Sequence, residues 1–192
     1  MRVLYGLIIM LGFLGCNMEV ESNTKLELTV FDDHLMPAID YNVNLYENYE
    51  DWFNDKHVLK NEKTNDKGVV TFSDLNDTIY FFRIIKGCLS NSLGVIGSNT
   101  LVKDNFNTFH VQVRQTSNFT IVNNSNNTYL VSYDGKPQYN INGKSVLTFK
   151  NGFPVDTVIV RAIQLDGFIL FPTDLTFTVV AECDSVEGVV IP

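Results

Sequence analysis

Apolar and polar residues alternate with a period of two along most of this chain. In Lys25–Phe31 the alternation puts Leu26, Leu28 and Val30 on one face, as in a half-buried β-strand. No stretch after Cys16 keeps the three-and-four apolar spacing of an amphipathic helix over a dozen positions. The chain is therefore predicted to be all-β. Further strands are predicted at 43–45, 69–72, 78–85, 109–114, 119–122, 129–133, 145–149, 157–163 and 175–181.

The predicted strands fall into two groups, because the composition shifts near Gln115 and a second set of strands follows, separated by Asp-Gly and Asn-Gly turns. We expect two small β-sandwich domains in tandem, at 25–115 and 116–192. One short helix is predicted within the first of them, at Tyr49–Asn54.

The N-terminus carries an apolar run that sets it apart from the rest of the chain. Arg2 is the only charged residue before Glu19, and the residues between Val3 and Gly15 are almost all apolar. A positive start followed by an apolar run of this length is typical of an export signal and is short for a membrane-spanning helix. The segment also has no amphipathic stripe, which argues against a buried N-terminal helix.

The run ends in Leu14-Gly15-Cys16, which resembles the bacterial lipoprotein signal, although Phe13 stands where that signal usually has Leu. The resemblance implies a signal peptide at 1–15, acylation of Cys16, a tether at 16–24 and anchoring in the outer membrane through the lipid. Glu19 and Glu21 resemble a short surface-export signal of one Gram-negative phylum. They favour the cell surface, with the periplasmic face as the alternative.

The first predicted domain opens with Leu28-Thr29-Val30-Phe31-Asp32, and continues with Pro37-Ala38 and Val43-Asn44-Leu45-Tyr46. Together with the run from Thr64 to Leu75 and the strand after Thr78, this order resembles a transthyretin-like (prealbumin-like) β-sandwich, the group that includes carboxypeptidase regulatory-like domains. The resemblance implies the fold and says little about activity, because such sandwiches host many functions. Gly68 suits the tight turn of this pattern, and Phe72, Leu75 and Tyr80 are expected between the sheets.

Catalytic and metal-binding patterns are missing from the sequence. His34, His57 and His110 are far apart and none has zinc-ligand spacing. No nucleophile motif or phosphate-binding loop is found. We therefore expect no enzyme, no metal and no cofactor. The net charge of −8 disfavours nucleic acid as a partner.

Two cysteines remain after Cys16, namely Cys88 and Cys183. An oxidising envelope and an even count permit a disulfide between them, which would tie the two domains together. Two unpaired, partly buried thiols are the alternative, which the sequence slightly favours because it gives no geometry.

Two other groups of residues are candidates for sites. Tyr49 and Trp52, in an aromatic cluster after the second strand, are candidates for stacking on sugar rings, with core filling as the alternative. Three Asp-Ser/Thr-apolar tripeptides resemble an O-glycosylation signal of exported proteins, which would modify Thr78, Thr157 and Ser185. Ordinary turn chemistry before a strand also explains these tripeptides.

The function expected from the sequence is that of a non-catalytic, lipid-anchored envelope or surface protein that acts as a binding, spacing or adhesion module. Its partners would be the membrane, through the N-terminal lipid, and a glycan or a surface protein. The alternative is a carbohydrate-binding accessory lipoprotein of a glycan-uptake system. In that case Tyr49 and Trp52 would contact the sugar.

Overall fold

The computed structural model describes residues 23–134, 139–183 and 185–192, so the predicted signal peptide and Cys16 lie outside the described residues. The described part is all-β, with one short helix, as the alternation predicts. The elements are β1 Lys25–Phe31, β2 Asn42–Tyr46, α1 Tyr49–Asn54, β3 Lys60–Lys63, β4 Val69–Phe72, β5 Phe81–Lys86, β6 Leu89–Ser90, β7 Phe106–Gln112, β8 Arg114–Asn123, β9 Tyr129–Tyr133, β10 Tyr139–Ile141, β11 Ser145–Pro154, β12 Asp156–Gln164, β13 Asp174–Ala181 and β14 Val186–Ile191.

Strands β1 to β7 and helix α1 form what we call the first module. One sheet has the order β4-β1-β7, and β6-β5-β2-β3 forms the other. Leu26, Leu28 and Val30 are fully buried on the inner face of β1, as their spacing predicts. Phe72, Leu75 and Tyr80, which were expected between the sheets, are each 1% exposed. The buried side chains of both sheets form one apolar cluster.

A tight turn before β4 closes this module and depends on a glycine. Gly68 has φ +72°, and a Cβ at this position would lie 2.6 Å from the Val30 carbonyl oxygen. The Gly68 carbonyl in turn accepts a hydrogen bond from the Val30 N–H at 2.8 Å. Only a residue without a side chain allows this approach of the two backbones.

Strands β8 to β14 form the second module. One sheet has the order β10-β9-β12-β13, while β11 and β14 both pair with β8 to form the other. A second apolar cluster lies between them, separate from the first. Its largest fully buried side chains are Phe119 and Phe153, whose ring centroids lie 4.1 Å apart.

The bounds of β5 and β7 differ from the sequence prediction because the backbone pairs elsewhere. β5 begins at Phe81 rather than at Thr78, since the carbonyls of Thr78 and Tyr80 accept hydrogen bonds from the loop that contains Ser98 and Leu101. β7 covers 106–112 rather than 109–114. It ends before Val113, whose N–H binds the Phe31 carbonyl at 2.9 Å just before the chain enters β8.

The two modules are joined at the start of β8. Leu89 and Ser90 of β6 pair with Gln115 and Arg114, so that the sheets of the two modules are continuous there. A disulfide joins Cys88, in the turn before β6, to Cys183, which follows β13, with a Cα–Cα distance of 5.5 Å. The predicted domain boundary near residue 115 therefore falls within a strand that belongs to both sheets.

The β7–β8 run relates the position of the described N-terminus to that of the loop between β12 and β13. Lys25 pairs with Phe106 at the start of β7, and β7 leads into β8 with one residue between them. The loop between β12 and β13 lies beyond the other end of this run, beside Thr128. Asn23 and the β12–β13 loop thus lie at opposite ends of the β7–β8 run. In the described part of the chain, no helix has the length and apolar character that crossing a bilayer requires.

Candidate ligand-binding cleft

A cleft with a cavity volume of about 570 Å³ opens between the two modules. This volume lies within the range of small-molecule sites in proteins. The first module contributes α1, Arg83 of β5 and the loop after β6, and the second contributes β9, β10 and β11. Six aromatic side chains line the cleft: Tyr49, Trp52, Phe53, Tyr133, Tyr139 and Phe149.

Helix α1 carries the cleft-lining aromatic residues of the first module, and a neighbouring residue caps each of its ends. The Asn48 side chain accepts a hydrogen bond from the Asp51 N–H at 2.8 Å, which is the N-cap arrangement. Asp55 ends the helix in the left-handed conformation, with φ 53°. Six residues alone would not make a stable helix in water, so packing against β5 completes its stabilisation.

Trp52 is held by both its polar and its apolar parts. The ring is 6% exposed, and its Nε1–H donates to the Phe82 carbonyl at 3.1 Å. The guanidinium carbon of Arg83 lies 5.2 Å from the ring centroid, a cation–π distance, and the guanidinium also donates to the Trp52 carbonyl. Trp52 therefore forms the floor of the cleft rather than an exposed stacking surface.

Tyr49 is the exposed aromatic residue of the first module. It is 48% exposed, and its ring centroid lies 5.4 Å from that of Trp52, 6.0 Å from Phe53 and 5.9 Å from Phe81. These ring contacts hold Tyr49 over the cavity. Tyr49 thus presents a fixed aromatic surface to a ligand.

The opposite wall belongs to the second module. Tyr139 packs edge-on against Phe149 with centroids 4.8 Å apart, and Tyr133 packs against Phe149 at 6.0 Å. The Tyr133 hydroxyl donates to the Gly152 carbonyl at 3.2 Å.

Burial, followed by the nearby Tyr139 and Asp134, raises the pKa of Tyr133 to about 12. Burial also raises the pKa of Tyr139. Both phenols are therefore neutral near pH 7, and serve as hydrogen-bond donors rather than as bases.

Arg83 connects the two walls. It is 4% exposed, and one guanidinium nitrogen donates across the junction to the Lys150 carbonyl at 3.5 Å. Its Nε lies 3.8 Å from a carboxylate oxygen of Asp55 and has no hydrogen-bond partner among the described residues. Tyr46 also donates to that carboxylate, and burial, followed by this hydrogen bond, raises the pKa of Tyr46 to about 12. The described residues that line the cavity include two cations, Arg83 and Lys150, and no carboxylate.

The structure places the two candidate stacking residues, Tyr49 and Trp52, in this cleft. Sequence reasoning did not identify Arg83 or the second-module aromatic residues Tyr133, Tyr139 and Phe149 as part of a site. The available signal is weak, since Tyr133 and Tyr139 flank the Asp134-Gly135 turn, where aromatic residues lie close to a loop.

The other candidate residues lie away from the cleft lining. Thr78 and Thr157 are exposed, whereas Ser185 is half-buried and its hydroxyl donates to the Glu182 carbonyl at 2.8 Å. Cys88 and Cys183 are brought together as the disulfide, and Cys16 is outside the described residues. Within the described ranges, no group of three His, Cys, Asp or Glu side chains is arranged to hold a metal ion.

Comparisons with known proteins gave structural similarities only. The sequence matches no protein-family model, and no curated protein is significantly similar to it. Among solved structures, the Bacillus anthracis TIE protein is 14% identical, with 88% of this chain and 34% of that chain covered and a TM-score of 0.37. A streptococcal ancillary pilin is 13% identical, with 89% and 62% covered and a TM-score of 0.39. The shaft pilin SpaA of Lactobacillus rhamnosus GG is 14% identical, with 88% and 97% covered and a TM-score of 0.36. The chain thus spans about a third of the first structure and less than two thirds of the second.

Proposed function

We propose that this chain is a non-catalytic, lipid-anchored protein of the cell envelope or surface, in which two β-modules act as one stiff binding, spacing or adhesion element. The observation that supports it most directly is the double connection between the modules. A backbone pairing at β6 and β8 and the Cys88–Cys183 disulfide lie side by side at the junction.

A stiff junction matters because two domains in one chain usually move relative to each other. Here the Cys88 carbonyl accepts hydrogen bonds from both the N–H and the hydroxyl of Thr116, at 2.7 and 2.9 Å. The disulfide therefore lies directly beside strand β8. A chain tethered at one end and stiff along its length holds its far end away from the anchor, which is what a spacer or an adhesion module requires.

Metabolic labelling and protease shaving test the anchor. Full-length protein is expressed with labelled palmitate, beside Cys16→Ala and, as a matched control, the double variant Cys88→Ser, Cys183→Ser. Label in the wild type and the control, but not in Cys16→Ala, is the expected result. Protease should remove the wild-type protein from intact cells. Absence of label would refute the lipid anchor, and labelled protein that resists shaving would place the modules on the periplasmic side.

A second candidate function is carbohydrate binding, and the aromatic cleft is the observation that favours it. Sugar rings stack on aromatic faces, and their hydroxyls accept hydrogen bonds from neutral phenols and from cationic nitrogens. Tyr49 supplies the exposed face, while Tyr139, Arg83 and Lys150 supply hydrogen-bond donors around it. This candidate corresponds to an accessory lipoprotein of a glycan-uptake system.

Fluorescence of Trp52, the only tryptophan in the chain, reports on this cleft directly. A panel of neutral and acidic oligosaccharides is titrated into the full-length protein and the emission is followed. Saturable quenching is expected for at least one sugar class, weakened at least tenfold by Tyr49→Ala. Phe106→Ala is the matched control, because Phe106 is 51% exposed and is not part of the cleft lining. Emission that stays constant across the panel would refute carbohydrate binding in this cleft and leave the anchoring proposal untouched.

A further inference from the structure

The loop between β12 and β13 exposes four large apolar side chains in succession. Phe168, Ile169, Leu170 and Phe171 are 45%, 96%, 81% and 84% exposed. Scattered exposed apolar residues are normal on a protein surface, but a contiguous apolar patch marks an interaction site. This run differs from the strands of the molecule, in which apolar residues alternate with polar ones.

The base of this loop is fixed, so the apolar residues are presented in one place. The Gln164 N–H donates to the Thr173 carbonyl at 2.8 Å, and the Gln164 side chain binds both Asp166 and Thr173. A carboxylate oxygen of Asp166 accepts a hydrogen bond from the Thr128 N–H at 2.7 Å. These contacts stabilise the base of the hairpin.

Strand β13 continues from this loop and is a free edge of its sheet. In the described part of the chain it pairs only with β12. Leu175 and Phe177 point toward the apolar cluster and are half-buried, and β14 of the facing sheet lies against β13. On the other face Thr176, Thr178 and Val180 are exposed. After Asp174 this edge is uncharged and rich in β-branched residues, and such an edge is a template for pairing with another strand.

The other edge strands carry features that oppose such pairing. β10 and β4 are short, β3 has the sequence Lys-Asn-Glu-Lys, and β11 has a register shift between Phe149 and Phe153. β14 contains Glu187 and Gly188, and at the start of β7 the Asn107 side chain binds back to Val102. Edge β13 has no Lys, Pro, Gly or register shift, and its one charged residue is Asp174 at its start.

The charge distribution favours a second copy of this chain as the occupant of this edge. The chain carries a net charge of −8, which opposes self-association over most of its surface. The hairpin is an exception, because Arg161 forms a bidentate ion pair with Asp174, and residues 167–173 carry no charge. Two copies can therefore approach each other here with the least repulsion.

We propose that β13 and the apolar loop before it form a homodimer interface, in which β13 pairs antiparallel with β13 of a second copy about a two-fold axis. Directly opposed residues of an antiparallel pair point to the same face, so the two outer faces, with Thr176 and Thr178, coincide in such a pair. The loop of each copy then lies beside the segment that follows β13 in the other copy, where Val186 is 72% exposed.

The available surface is adequate for a stable dimer. A large apolar side chain offers about 150–250 Å², so the four loop residues expose on the order of 600 Å². Strand pairing adds to this, and a standard interface buries about 800 Å² per partner. The hairpin alone therefore approaches the area that a specific interface requires.

This geometry gives the proposed adhesion role a mechanism, and in that respect it rests on the proposed function. Antiparallel pairing turns the second copy end for end. Because Asn23 lies at the opposite end of the β7–β8 run from the loop, the described N-termini of the two copies lie at opposite ends of the dimer. Such a dimer joins two surfaces rather than two molecules on one surface.

Sedimentation velocity of the full-length protein in mild detergent tests the interface. The variants are Thr178→Lys, which places a charge on the exposed face of the edge, and the double variant Ile169→Ser, Phe171→Ser. Thr71→Lys is the matched control, an exposed strand threonine in the first module. A concentration-dependent dimer is expected for the wild type and the control, weakened at least tenfold by either hairpin change, with circular dichroism unchanged in all four proteins.

Three outcomes would overturn the proposal: a wild-type protein that stays monomeric at all concentrations, a Thr178→Lys variant that dimerises like the wild type, or a monomer that binds neutral phosphatidylcholine vesicles through the loop. The first two refute the interface, and the third makes lipid the occupant. None of them affects the palmitate and shaving results, so failure of the dimer and failure of the anchor are separable. Mixing two populations of vesicles that carry the lipidated protein should cause aggregation only when both carry an intact hairpin.

Discussion

Two loops of this protein are rich in large apolar residues and have opposite fates. The loop after β2 folds into α1, in which Trp52 is buried between β5 and Arg83. The loop after β12 forms no helix, and Ile169, Leu170 and Phe171 stay in solvent. Composition is therefore a poor guide to the burial of a loop.

Two features explain the difference in burial: the capping of the helix ends and the packing of other elements against the loop. Asn48 and Asp55 satisfy the ends of α1, and β2 and β5 pack against it and bury Trp52. The β12–β13 loop lies at an end of the second module, where no other element packs over it in the described part of the chain. The first loop is packed against other elements of the chain, whereas the side chains of the second remain exposed.

The largest expected effect comes from removing the Cys88–Cys183 disulfide, which joins the two modules. The double variant Cys88→Ser, Cys183→Ser opens a loop of 95 residues, and chain-entropy arguments predict a loss of about 4 to 5 kcal/mol in the free energy of unfolding. Urea denaturation followed by Trp52 emission measures it. The emission should shift toward that of exposed indole before the global transition, because the cleft loses its second wall. A single transition with unchanged midpoint would show that β6–β8 pairing suffices to hold the modules.

Truncating one aromatic residue in each loop tests the comparison itself. Trp52→Ala removes a buried ring and one of the two hydrogen bonds that the Phe82 carbonyl accepts, the other coming from the Asn91 amide, and should cost about 3 to 5 kcal/mol. Phe171→Ala removes a side chain that is 84% exposed, and should change stability by no more than about 0.5 kcal/mol in the monomer. Thermal or urea unfolding of both variants measures the difference. Equal costs would show that the β12–β13 loop is packed in solution.

Sequence patterning predicted the fold where strands are amphipathic and failed where they are not. Alternation located β1, β9 and β12 almost to the residue, because one face of each packs on a core. It missed β3, whose residues Lys60–Lys63 include no apolar side chain and which pairs with β2 through the backbone and a hydrogen bond from the Asn61 amide to the Asn44 side chain. β6 has two residues, which is too short for any periodicity.

Pairings between distant segments were also beyond the sequence. β14 runs parallel to β8, and Gly188 allows the approach, since a Cβ there would lie 2.8 Å from the Thr120 carbonyl oxygen. The cleft has the same origin, because Tyr49 and Tyr139 come from modules with separate cores. Local chemistry identified Tyr49 and Trp52, but the opposite wall depends on how the two modules meet. The disulfide likewise depends on this meeting, and its geometry cannot be inferred from the spacing of two cysteines.

The free energy of unfolding should decrease at alkaline pH because of Tyr133, which lies in the second-module wall of the cleft. Burial raises the pKa of Tyr133 from 10.0 to about 12, so the folded state keeps a proton that the unfolded state loses earlier. The resulting stabilisation is fully present below pH 10 and is lost as the pH rises toward 12, a decrease of about 2 kcal/mol. Urea denaturation at a series of pH values measures this slope, and Tyr133→Phe should flatten it. Tyr46, whose pKa is raised to about 12 mainly by burial, supplies a second contribution that Tyr46→Phe removes separately. An unchanged slope in both variants would contradict burial of these phenols.

The smallest expected effect is the loss of the helix cap, which separates the contribution of capping from that of packing against neighbouring elements. Asn48→Ala removes the side-chain acceptor of the Asp51 N–H, and should cost about 1 kcal/mol. Asn54→Ala is the control, because the Asn54 amide binds the Glu50 carbonyl on the exposed side of the same helix, where a surface change costs less than about 0.5 kcal/mol. The two unfolding midpoints give the contribution of the cap. If Asn48→Ala is as stable as the control, packing against β2 and β5 alone holds α1. The burial of the two loops would then depend only on whether another element of the chain packs over them.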